Sequence, residues 1–154
     1  MSGVLEGRLA IVTGGARGIG REIATTFARA GADLAIADIL PKDLVEVSRE
    51  VEGLGRRVLA EKVDVSKARD VTDFVSRVAD EFGRIDILVN NAAYIHYAGF
   101  LDFDEAEWDK VMAVSLKGYF LCGQAVAREM VKAGRGTIIN IASMSALIVN
   151  RGVP

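Results

Sequence analysis

The amino-acid sequence predicts an α/β fold built on a doubly wound parallel sheet, and three observations predict it. Short runs rich in valine and isoleucine alternate with segments of helical period, which is the pattern of repeated strand–helix–strand units. A glycine-rich stretch joins the first such run to the first helical segment. Of the 154 residues 51% are hydrophobic, enough to bury one core.

The elements follow in order. Leu9 to Thr13 reads as the first strand, and Gly18 to Ala30 as a helix with Ile19, Ile23, Ala24 and Phe27 on one face, stopped by Gly31. Asp33 to Asp38 is the second strand. Pro41 opens a helix carrying Leu44, Val47, Val51 and Leu54, which Gly53 and Gly55 break before a third strand, Arg57 to Val63. Val71, Phe74, Val75, Val78 and Phe82 define a third helix ended by Gly83, and Ile85 to Asn90 is a fourth strand apolar enough for burial on both faces. Asp104 with Glu107 forms a variant capping box opening one long helix to about Lys132, and Gly136 to Ala142 is the fifth strand.

That long helix presents two apolar stripes. Trp108, Met112, Tyr119, Cys122 and Val126 form one; Val111, Val114, Gly118, Leu121 and Ala125 form the other. The combined arc is wider than one sheet can cover, so its outer stripe is expected to meet a second copy, giving a homo-oligomer through the 104–132 helix. No repeat or linker interrupts the pattern, so one domain is expected, with its ligand crevice at the carboxyl ends of the strands.

Composition removes several function classes. Nineteen Lys and Arg face 21 Asp and Glu, for a formal charge of −2, so no basic stripe for nucleic acid is expected. The one cysteine, Cys122, cannot form an internal disulfide, and with His96 the only histidine no structural zinc site is expected. Together these favour a reducing, cytoplasmic setting. Met1 to Arg8 lacks a signal pattern and no apolar run is long enough to cross a membrane, so no membrane partner is expected.

Thr13-Gly14-Gly15-Ala16-Arg17-Gly18-Ile19-Gly20 lies between a strand and a helix, where absent side chains let backbone amides approach a pyrophosphate at the helix N-terminus. Asp38 ends the next strand, where a carboxylate accepts ribose hydroxyls and repels a 2′-phosphate, which favours NAD over NADP. Arg17 and Arg21 argue the other way, as cations able to recruit that phosphate. His96 reads as a solvated loop residue and Cys122 as a core residue, and without a G-x-S-x-G elbow hydrolase chemistry is not expected.

With its T-G-x-x-x-G-x-G loop, Asp38, Asp64-Val65, Asn90-Asn91-Ala92-Ala93 and Asn140-Ile141-Ala142-Ser143 in that order, the sequence resembles the short-chain dehydrogenase/reductase family, a Rossmann-fold family. The resemblance implies that Gly14, Arg17, Gly18, Ile19, Gly20, Asp38, Asp64, Val65, Asn91 and Ala92 contact the cofactor. It implies that Ser143 holds the substrate oxygen, with Ser145 as a rival, and that hydride moves between nicotinamide and a secondary alcohol or ketone. The substrate is expected to be a polyol, as suggested by Ser143–Ala146 and Ile148–Arg151, or a 3-oxoacyl thioester.

Three departures qualify this. Ala93 stands where the family usually has glycine, and Ser115 where it usually has the asparagine of its catalytic tetrad, which puts the proton relay in doubt. The family's Tyr-x-x-x-Lys follows the serine by about a dozen residues, and the sequence reaches Pro154 first; Tyr94, Tyr97 and Tyr119 all lie outside that pattern. Residues 1–154 are therefore expected to be an NAD-binding domain truncated after the fifth strand, and the alternative to an active enzyme is a catalytically inactive nucleotide-binding fragment.

Overall fold

The structure, a computed structural model, describes residues 3–144; Ser145 and the Ile148–Arg151 run lie outside the described residues. In chain order the elements are β1 (Leu9–Thr13), α1 (Gly18–Arg29), β2 (Asp33–Asp38), α2 (Pro41–Gly53), β3 (Val58–Lys62), α3 (Ala68–Phe82), β4 (Ile87–Asn90), α4 (Glu105–Met112), α5 (Gly118–Ala133) and β5 (Thr137–Asn140). The strands form one sheet in the order β3-β2-β1-β4-β5, and every pair is parallel. Winding outward from β1 in both directions leaves a crevice between β1 and β4 at their carboxyl ends, where ligands of such sheets bind.

Strand alternation divides the core in two. Leu9, Ile11, Ala35, Ala37 and Leu88 face one side, where α3 supplies Val71, Phe74, Val75 and Val78 and α5 supplies Cys122, Val126 and Met130. Ala10, Val12, Leu34, Ile36 and Val89 face the other, against Ala24 and Ala28 of α1 and Leu44, Val47 and Val51 of α2. Leu88 and Val89 thus bury opposite faces, as expected of β4. Gly83 ends α3 in the left-handed conformation at φ 71°, and Pro41 sits at the opening of α2.

Several details differ from the sequence expectations. Ile19 is exposed, and the inner face of α1 is instead Gly20, Ala24, Thr25 and Ala28, with Ile23 and Phe27 at its margin. The small residues bring the helix close to the sheet, which pushes the large one outward. Asp104 caps α4 by accepting from the Ala106 amide at 2.7 Å, but Glu107 does not complete a capping box: its carboxylate accepts from the Tyr94 hydroxyl at 2.7 Å. A 3-10 turn, Phe100–Asp102, precedes α4 without a sequence signal.

The expected single long helix is α4 and α5 joined by a π-helical turn, Ala113–Lys117. This turn rephases the helix, so the two stripes do not survive as drawn. Gly118, from one stripe, joins Cys122 and Val126, from the other, and Met130 on the buried face, while Leu116 and Phe120 are each 60% exposed.

At the amino ends of the strands Asp86 is buried and collects donors from three segments. Its carboxylate accepts from Arg84 at 2.6 and 2.7 Å, from Arg8 at 3.1 Å and from the Leu9 amide at 2.9 Å. Burial pushes the carboxyl upward, but the bonds from Arg84, the Leu9 amide and Arg8 outweigh it and hold it down at about 2. This cluster ties β1 to β4 at the end of the sheet opposite the crevice.

Candidate active site and cofactor crevice

The loop between β1 and α1 is shaped by close backbone approach. Gly14 adopts φ 64°, and a Cβ there would lie 2.8 Å from the Ala92 Cα and 3.0 Å from the Asn91 amide nitrogen. At Gly20 a Cβ would overlap the Gly14 carbonyl oxygen and lie 2.6 Å from the same Asn91 nitrogen. The first turn of α1 carries no acidic side chain, and the helix has no side-chain cap at Arg17, so its positive end faces the crevice uncompensated by the chain's own groups. A glycine cradle at an uncapped helix N-terminus fits a pyrophosphate.

The loop after β4 locks onto that cradle. The Thr13 hydroxyl accepts from the Asn91 and Ala92 amides at 3.0 and 3.1 Å, and the Asn91 side chain donates to the Thr13 and Gly14 carbonyls at 3.0 and 3.1 Å. Thr13 was not singled out from the sequence as a site residue; its role depends on a partner 78 positions away.

Asp38 is only 8% exposed, and both carboxylate oxygens accept backbone amides: Oδ2 from Ala16 at 3.0 Å and Oδ1 from Leu40 at 3.2 Å. The acid at the end of β2 therefore also anchors the glycine loop. Arg21, weighed as a phosphate cation, turns away to α2, where its guanidinium bonds Glu50 and Glu46. Arg17, Gly18 and Ile19 are exposed on the first turn of α1.

Asp64 and Val65 follow β3, and both side chains are already engaged. The Asp64 carboxylate accepts from the Ser66 amide at 3.1 Å and hydroxyl at 2.6 Å and pairs with Lys67 at 3.3 Å. Burial raises its pKa, but these partners outweigh that and leave the carboxyl below its ordinary value. Val65 is buried against α5, where a Cβ on Gly118 would lie 2.9 Å from its side chain.

Ser115 lies in the π turn and holds the backbone of Tyr94 from both sides, accepting from its amide at 3.1 Å and donating to its carbonyl at 3.2 Å. The Tyr94 ring lies beneath Lys110 Nζ, 3.9 Å from its centroid, and His96 Nδ1 lies 3.5 Å from Glu107. Ser143 sits exposed just after β5. Cys122 is buried, and burial pushes its thiol up to about 12, so it has no thiolate to offer as a nucleophile.

The crevice therefore gathers Gly14, Gly20, Asp38, Asn91 and Ala92 by direct contact. Asp64-Val65, Ser115 and Ser143 stand at the same carboxyl side of the sheet but contact other elements. Among the described residues no helix is long and apolar enough to cross a membrane.

Comparison with known proteins agrees with this geometry. The chain is 42% identical over 142 residues to the 2-dehydro-3-deoxy-D-gluconate 5-dehydrogenase of Escherichia coli, covering 91% of this chain and 55% of that protein. It is 36% identical over 148 residues to the 3-oxoacyl-acyl-carrier-protein reductase of Thermotoga maritima, covering 96% of this chain and 60% of that one. A solved NAD+-bound xylitol dehydrogenase superposes with a TM-score of 0.94 at 28% identity, over 97% of this chain and 58% of that one. The chain thus spans less than two thirds of the length of these relatives. The short chain dehydrogenase family model matches residues 8–154, and the chain belongs to that family.

Proposed function

We propose that this chain is the cofactor-binding part of an NAD-dependent oxidoreductase that moves hydride between the nicotinamide and a secondary alcohol or ketone. The observation that carries the choice of NAD is Asp38, a carboxylate held at the end of β2 by the glycine loop itself. A 2′-phosphate at the ribose end of the crevice would meet that charge in a poorly solvated place. Arg21, the main cation arguing for NADP, is occupied by Glu50 and Glu46.

The chain's own residues supply binding and orientation. The glycine loop and the positive end of α1 take the pyrophosphate, Asn91 and Ala92 wall the crevice at β4, and the Ser143 hydroxyl donates to the substrate oxygen. The bound dinucleotide gives or takes the hydride. Relatives acting on a sugar acid and on a 3-oxoacyl thioester make both substrate classes fit. The single, buried cysteine fits a reducing cytoplasm.

Titration with both dinucleotides tests Asp38. NAD is expected to bind at least tenfold tighter than NADP, about 1.4 kcal/mol, and Asp38→Ala should narrow the ratio while weakening both. NADP binding as tightly as NAD would overturn the assignment.

We also propose that the outer face of the α4–α5 helix meets a second copy. An apolar groove of about 450 Å³ lies there, lined by Met112, Ala113, Leu116 and Phe120 with Asp109 and Lys117 at its edges. Replacing Leu116 and Phe120 together by glutamate should lower the mass measured by light scattering by half or more; an unchanged mass excludes this face.

A second reading has its own support. Tyr119 donates its hydroxyl to the Ile141 carbonyl at 3.1 Å and Tyr94 donates to Glu107, so neither hydroxyl is available as an acid–base group in the described residues. A polypeptide of these 154 residues alone is therefore expected to bind nucleotide without turnover. Reduction of NAD by that polypeptide with any alcohol, followed at 340 nm, would contradict this.

A further inference from the structure

Tyr119 lies on the first turn of α5, directly after the π turn, and is bonded at both ends. Its hydroxyl donates to the Ile141 carbonyl at 3.1 Å, and its carbonyl accepts from the Asn90 side chain at 3.4 Å. Asn90, 1% exposed at the end of β4, also donates to the Asn140 carboxamide at 2.9 Å, and its backbone carbonyl accepts from the Ile141 amide at 2.9 Å. Four bonds thus converge on Asn140 and Ile141, the residues that lead into Ser143.

Such a brace matters because β5 has few other supports. Among the described residues it pairs only with β4, and all four of its residues are exposed. The direction in which the chain leaves β5, and with it the position of the Ser143 hydroxyl, depends on what holds the strand's carboxyl end. A tyrosine donating through a partly buried hydroxyl is a rigid support, since its ring has only two side-chain torsions to restrain.

The π turn makes this brace compatible with the neighbouring one. In an unbroken α-helix, residues four apart share one face. Ser115 and Tyr119 are four apart, yet Ser115 holds Tyr94 after β4 while Tyr119 holds Ile141 after β5. The five-residue turn Ala113–Lys117 separates their directions.

We infer that Tyr119, with Asn90 and Asn140, is a positioning residue that sets the Ser143 hydroxyl against the substrate oxygen by fixing the carboxyl end of β5. The inference rests on the reading of Ser143 given above, and its test is arranged so that the two fail separately.

The test uses the full chain and the Tyr119→Phe variant, which keeps the ring and loses only the donor. In amide NMR spectra the variant should shift resonances of residues 139–144 and leave those of the glycine loop, 13–20, in place. Unmoved resonances at 139–144 overturn the positioning role whether or not the protein is active. With an oxidisable alcohol, Tyr119→Phe should lower kcat five- to thirtyfold while the Kd for NADH changes less than twofold.

In a Ser143→Ala background the same substitution should change kcat by less than twofold, because the group it positions is gone. Full activity in Tyr119→Phe, or an undiminished loss in the Ser143→Ala background, overturns the proposal. Shifted resonances with no turnover by the unmutated chain would instead refute the oxidoreductase reading and leave the brace standing.

Discussion

Gly20→Ala is expected to abolish measurable nucleotide binding, with a loss of a hundredfold or more in affinity, and to lower the melting temperature. The added methyl would overlap the Gly14 carbonyl oxygen and press on the Asn91 side chain, and the first of these is backbone that cannot rotate away. Forcing such a contact costs about 1–3 kcal/mol in a packed region. Relief comes only by moving Gly14, which breaks the bond that Gly14 accepts from Asn91 at 3.1 Å and opens the cradle. Gly18→Ala is the control. Gly18 has φ 55° but open space around its missing Cβ, so alanine there brings backbone strain of about 1 kcal/mol without closing the loop. Calorimetry on both variants separates the cases, and comparable binding by Gly20→Ala and the unmutated protein would falsify the cradle.

Asp86→Ala should be the most destabilising substitution that leaves nucleotide binding alone. Removing the carboxylate strands Arg84 and the Leu9 amide, and because the arginines are partly exposed the cost is about 2–3 kcal/mol, below that of a fully buried pair. The same group makes stability depend on pH. Its folded value of about 2 lies below that of an ordinary carboxylate, so the ionised form is favoured by folding. That contribution, about 2 kcal/mol, is complete above roughly pH 4 and fades as the pH falls towards 2. Denaturant unfolding at pH 7 and pH 3 should show this difference in the unmutated protein and much less of it in Asp86→Ala. An equal pH dependence in both would place the acid sensitivity elsewhere.

Much of the fold is legible in the sequence because its signals are local. Leu9–Thr13 and Asp33–Asp38 are apolar runs bounded by glycine or charge, and their limits in the structure coincide with those expected. Gly83 and Pro41 mark helix ends through their own backbone preferences. The glycine loop and Asp38 are legible for a related reason, since motif and spacing lie within one strand–helix–strand unit.

What the sequence hides depends on distant partners or on competition between them. Thr13, Asn90 and Tyr119 look like an ordinary strand end, turn residue and core aromatic until β4 and β5 are brought beside them. Glu107 has the spacing of a capping box, yet the Tyr94 hydroxyl claims its carboxylate. Asp86, between Arg84 and Ile85 on one side and an apolar strand on the other, gives no hint that Arg8 and Leu9 will converge on it. Nothing in Ala-Val-Ser-Leu-Lys marks a π turn, since it contains no proline or glycine and its residues suit an α-helix equally well.

That turn also sets which mutations the helix will bear. Each residue of an α-helix advances the chain by about 100°, so losing a single residue anywhere between 113 and 117 would let the segment close into regular helix and swing everything after it by that angle. Cys122, Val126 and Met130 would leave the core together. Point changes at the exposed Leu116 or Lys117 disturb one side chain each. The helix therefore tolerates variation in composition far better than variation in length: a deletion of one codon here is a larger lesion than most replacements.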